Sequence, residues 1–156
     1  MRTLYVSAVV LVLAAGVASA QHRPALVPQG WSEAAPEVAL SRRFVSPNGQ
    51  SSLTATTRRA NPRDLRDDMD AIAFRPGERI TYQKRGKSWI AVSGYKGDRI
   101  FYRKSNLVCG GRAWHNIELE YPASNKRQMD GIVTRIARGM TLYNDDCRKR
   151  SPGAQN

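Results

Sequence analysis

Residue types that carry most nucleophilic, metal and acid–base chemistry are scarce in this sequence. It has two histidines, His22 and His115, and two cysteines, Cys109 and Cys147. Neither histidine sits in HExxH or another spaced metal motif, and the absence of CxxC removes zinc-ribbon and thioredoxin-type readings. GxSxG and Walker loops are missing too. No metal, no cofactor and no catalytic residue is therefore expected. Carboxylates are also few, 13 Asp+Glu against 25 Lys+Arg. Long hydrophobic runs are limited to one, Val6 to Val17, which falls short of the about 20 apolar residues of a membrane-spanning helix.

That run has Arg2 before it and Ala18-Ser19-Ala20 after it, the three-part form of a secretory signal peptide. The reading predicts cleavage after Ala20, a mature chain from Gln21 and a periplasmic or secreted protein with no transmembrane segment. An uncleaved anchor is the alternative. No cysteine follows the small residues, which argues against a lipid-modified N-terminus. Cleavage takes only Arg2 from a formal net charge of +12. Such a charge favours anionic neighbours. Outside the cytoplasm these are an anionic surface, acidic polysaccharide or an acidic envelope protein; nucleic acid is not expected. Export also favours a Cys109–Cys147 disulfide, roughly 4 kcal/mol in the chain-entropy model, with two separate buried thiols as the alternative. A Cys109–His115 thiol–base pair is the weaker reading, since Cys147 offers a simpler partner.

The chain divides into a signal peptide (1–20), an extended leader (21–43), a single domain (44–147) and a polar basic tail (148–156) that reads as disordered. The leader holds Pro24, Pro28 and Pro36, with Trp31 as a possible pin onto the domain or as part of a partner-binding arm. Phe44 to Thr57 reads as a hairpin around Asn48-Gly49, with Leu53 and Ala55 facing inward. Asn61-Pro62 then predicts a helix start. Leu65, Met69 and Ile72 form its apolar stripe, and Arg75-Pro76-Gly77 ends it. Asp67, Asp68 and Asp70 do not converge as metal ligands would and read as a solvated face.

Arg79 to Pro122 carries four strand-like runs separated by Arg85-Gly86-Lys87, Tyr95-Lys96-Gly97-Asp98 and Cys109-Gly110-Gly111, the pattern of an antiparallel meander. Trp89 to Val92 is apolar on both faces, so the sheet must be covered on both sides. Ile117, Leu119 and Tyr121 face inward, with Glu118 and Glu120 outward and able to pair with Arg103 or Lys104. Ser124 can cap a second helix in which Ile132, Val133, Ile136, Ala137 and Met140 form the sheet-facing side. The predicted fold is α+β: an antiparallel sheet of five to six strands flanked by helices.

ITYQKRGKSWIAVSGYKGDRIFYRK, followed by Cys109, IELEYP and DGIVTRIARGM, resembles a group of small exported alphaproteobacterial proteins, and FVSPNGQSSLTA fits the same group. The resemblance covers residues 44–140. Some members are similar to PsbP-like domains, which implies an α/β/α sandwich and an accessory or binding role rather than catalysis. The expectation is a periplasmic, non-enzymatic accessory or binding domain of the cell envelope. Its candidate anion- or partner-binding rim is Arg85, Lys87, Arg103, Lys104, Arg112, Trp114 and His115. The alternative is a periplasmic hydrolase using Glu118 or Glu120 with His115.

Overall fold

The computed structural model describes residues 24–139. The predicted signal peptide, Met140, Cys147 and the basic tail lie outside the described residues. The predicted meander folds as β4 (Arg79–Arg85), β5 (Trp89–Lys96), β6 (Arg99–Val108) and β7 (Ala113–Pro122). Its turns fall at the glycine-bearing breaks, and Gly97 has a φ of 60° where β5 reverses into β6, a conformation open to glycine without a Cβ clash.

Strand β3 (Ser52–Arg59) follows the Asn48-Gly49 turn and pairs with β2 (Ser41–Val45) on one side and β7 on the other. With β1 (Ser32–Ala34) at the edge, the order is β1-β2-β3-β7-β6-β5-β4, every neighbour antiparallel. The sheet thus has seven strands rather than five to six. The extra strand comes from the stretch read as a leader. β1 is short and largely exposed, so no apolar alternation marks it. Pairing with β2 and a two-pronged Arg42–Glu33 contact hold it instead. Trp31 is buried, as are Leu26 and Val27 beside it.

Alternation along the strands creates two cores. On one face Leu53, Ala55, Ile117, Leu119 and Tyr121 meet Met129, Ile132 and Ile136 of helix α2 (Lys126–Ala137), with Leu26, Val27 and Trp31 closing the same cluster. On the other, Ile90, Val92, Phe101 and Trp114 meet Met69, Ile72 and Ala73 of helix α1 (Leu65–Ala73). The arrangement is three-layered, helix on sheet on helix.

Both helices start later than their sequence signals suggest. Asp64 rather than Asn61 caps α1, accepting from the Asp67 N–H. Asn61 accepts from the Arg63 N–H while its own N–H donates to Asp68, so it shapes the approach turn. A short 3₁₀ turn, Ala123–Asn125, precedes α2, and no side chain caps that helix. Among the described residues no helix is long and apolar enough to cross a membrane.

Candidate functional site

Period-two geometry sets Trp114, Asn116, Glu118 and Glu120 on the α1 side of β7, and His115, Ile117, Leu119 and Tyr121 on the α2 side. Glu118 lies directly across from Arg103 on β6. The predicted pairing of these two residues is present, but under α1 rather than in solvent. The Arg103 side chain is 1% exposed, Glu78 3% and Glu118 17%. Arg103 Nη2 donates to Glu78 Oε1 at 2.8 Å and to Glu118 Oε1 at 2.9 Å. Its Nη1 donates to the Ala73 carbonyl at 2.8 Å, at the negative end of α1. The guanidinium also lies 5.0 Å from the centre of the Phe101 ring. A charge buried this deeply is stable only with such partners.

Arg75 Nη2 reaches the second Glu118 oxygen at 2.8 Å. Burial works to raise the Glu118 pKa, but the hydrogen bond and charge of Arg103, joined by Arg75, outweigh it and hold the carboxyl below its usual range. Burial likewise opposes the charged form of Arg103, and its two glutamates more than compensate. Asp68 repeats the pattern: burial raises it, and donation from the Asn61 N–H, Trp114 Nε1 and Arg58 brings it down on balance.

Between these clusters is a polar cleft of about 170 Å³ whose lining includes Thr54, Thr56, Arg58, Arg75, Asn116 and Glu118, with Arg103 at its base. It is smaller than the roughly 300–1,000 Å³ of common ligand pockets. Its three arginines are matched by Asp68, Glu78 and Glu118. The surroundings are therefore close to neutral and suit a structural core better than an anion site. Buried Arg103 Nε and Asn116 Oδ1 have no protein partner, leaving one donor and one acceptor in the chamber.

The seven rim residues do not form one surface. Arg103 and Trp114 are buried, the latter 0% exposed. Lys104 is on the α2 face, where it donates to the Ala137 carbonyl at 2.8 Å and sits over the Trp89 ring; burial pushes its pKa down. Arg112 folds back in the β6–β7 turn and donates to the Cys109 carbonyl at 3.0 Å. His115 and the carboxylates Glu118 and Glu120 are on opposite faces of the sheet, and Glu120 is paired with Arg99. That separation gives no support to the hydrolase reading. Among the described residues no three of His, Cys, Asp and Glu gather as a metal site.

Arg85 and Lys87 do stay together, at the β4–β5 turn. Here they join Arg66 around a second, more open cleft of about 320 Å³, whose apolar lining comes from Leu65 and Met69. Arg85 pairs with Asp70 at 2.7 Å. The turn is braced: the Gly86 N–H donates to the Trp89 carbonyl at 2.9 Å. A Cβ on Gly86 would lie 2.3 Å from Trp89 Nε1, so only glycine allows this approach.

Sequence reading missed Arg66, Leu65 and Met69 as parts of a site. The Leu65–Met69 spacing is the ordinary signature of a core stripe. Only the docking of α1 next to the β4–β5 turn shows that its first turn stays partly open.

No protein-family model and no curated protein matches the chain.

Proposed function

We propose that the protein is a non-enzymatic accessory or binding domain of the cell envelope, acting on an anionic partner or surface. The observation that carries this reading is the grouping of Arg66, Arg85 and Lys87 around an apolar-lined cleft, where among the described residues Arg85–Asp70 is the one ion pair they make. The carboxylates on the α1 side of β7 are occupied differently. Glu118 is held by two arginines, which keep its carboxyl below the usual range, and Glu120 is paired with Arg99.

Sedimentation with vesicles tests the role. Retention on anionic vesicles that falls as salt rises is the expected result. No retention on anionic vesicles or on heparin at low salt removes the anionic partner.

The same reading includes export through the N-terminal signal and a Cys109–Cys147 bridge. Cys109 lies in the β6–β7 turn at a φ of 58°. The Lys104–Ala137 hydrogen bond sets the end of α2 beside β6, the strand that leads to Cys109. From there the chain to Cys147 can span up to about 30 Å at roughly 3.3 Å per residue. Mass spectrometry of the non-reduced protein is expected to show the bridged peptide pair; two alkylatable thiols exclude the bridge. A PsbP-like relationship is part of this proposal and rests on the sequence resemblance and the helix–sheet–helix layering.

A further inference from the structure

We propose that the cleft between the first turn of α1 and the β4–β5 turn binds an anionic amphiphile, a molecule with one negatively charged head and one short aliphatic chain. The inference rests on the binding role above and names the ligand class for it. Its starting point is the mixed chemistry of the lining. Leu65 and Met69 provide apolar surface, while Arg66, Arg85 and Lys87 provide cations at the same opening.

The charge is only partly offset locally, since the Asp67 carboxylate lies within the electrostatic reach of Arg66. Asp70 neutralises Arg85, and no carboxylate lies within ion-pair distance of Arg66 or Lys87 among the described residues. A bare inorganic anion would use the cations and leave the half-buried Leu65 side chain, beside buried Met69, open to water. A neutral apolar guest would cover Leu65 and leave the cations unused. A ligand carrying both features meets both demands.

Size limits the chain. About 320 Å³ is near the lower end of small-molecule pockets, enough for one short chain rather than a two-chain lipid tail. The methionine wall adapts to an irregular guest. The opposite wall is already in place, because Gly86 is packed against the Trp89 indole and bonded to its backbone. The polar cleft lined by Arg58, Arg75 and Arg103 is the internal contrast: it too is lined by arginines, but its carboxylates balance them.

The test is an amide chemical-shift titration of the purified protein with three probes: dodecanoate below its aggregation threshold, acetate, and dodecyl maltoside. Dodecanoate is expected to give saturable shifts centred on residues 65–70 and 85–88, and the other two probes none there. The double variant Arg66→Glu/Lys87→Glu is expected to weaken dodecanoate binding by about tenfold, through lost attraction and added repulsion. Both positions are surface charges, so its undisturbed shifts elsewhere report an intact fold. Equal response to acetate overturns the proposal in favour of a plain anion site. Equal response to the maltoside leaves an apolar patch only, and absent or scattered shifts remove the site.

Vesicles of phosphatidylcholine with phosphatidylglycerol distinguish the source. Co-sedimentation that the double variant abolishes places the anionic head in a bilayer, whereas dodecanoate binding without co-sedimentation points to a free amphiphile. Vesicle retention with no dodecanoate response at the cleft leaves the general binding role standing and overturns this site.

Discussion

The two faces of the sheet are closed by different means. Beneath α2 the contact is almost wholly apolar, from Leu26 and Trp31 at one end to Met129, Ile132 and Ile136 at the other. Beneath α1 an apolar patch shares the surface with a buried arginine, two glutamates and an aspartate that receives an indole N–H. Apolar packing is non-directional and fills space. Charged pairs are directional and leave gaps where geometry forbids contact. Both clefts are accordingly on the α1 side. The α2 side is closed by apolar packing, and the α1 side is where clefts and buried charge remain.

The strongest challenge to this comparison is removal of the arginine at its centre. Arg103→Ala strands two buried glutamates and is expected to cost about 3–5 kcal/mol in urea unfolding. Combining Arg103→Met with Glu78→Gln and Glu118→Gln is expected to restore much of that loss, because no unpaired charge remains. A single Arg103→Ala with near wild-type stability would show that the buried network is not what holds α1 down.

On the opposite face, Ile136→Ala removes a fully buried side chain and is expected to cost about 3 kcal/mol, within the usual range for core truncation. That loss should be the same at pH 4 and pH 7, since no titrating group is involved. A pH-dependent loss would mean the two faces are coupled. A smaller effect is expected from Asp68→Asn, about 1–3 kcal/mol, from weakened bonds to Arg58, Asn61 and Trp114.

Acid offers the gentlest test. Glu118 and Asp68 have folded pKa values below their ordinary ones. Their stabilisation is therefore full above the ordinary carboxylate pKa of about 4 and is lost as pH falls through the lower folded values. Hydrogen exchange on lowering the pH should show α1 amides losing protection before those of α2. The order should disappear in Glu118→Gln/Asp68→Asn, and α2 opening first would contradict the comparison.

Much of the framework was legible because it follows from local chemistry. The glycine breaks gave the meander, the two-sided apolar run at Trp89 to Val92 required cover on both faces, and the stripe of Leu65, Met69 and Ile72 gave α1. β1 was illegible because its stability comes from backbone pairing and one ion pair, neither of which imposes a side-chain period. The candidate site was half legible. Arg85 and Lys87 stood out as turn cations, but Arg66 joins them only through tertiary packing. Arg103 was misplaced at the rim because an arginine in a strand usually marks solvent. Its burial depends on Glu78, which arrives from a loop far away in sequence.

The β3–β7 ladder has a further consequence, for the order in which the chain can mature. β3 is made early, yet its inner neighbour is the last strand, with α1 and the β4–β6 hairpins between them. During synthesis or threading through a pore, Leu53 and Ala55 must wait uncovered until Ile117 and Leu119 emerge. The meander can assemble from neighbouring contacts, whereas the N-terminal hairpin can only be added as the closing step, a long-range event and the slower kind. An early-termination product ending before Ala113 would carry α1 and β4–β6 but lack Trp114, Asn116 and Glu118 on the α1 face, and with them the seam that joins the two halves.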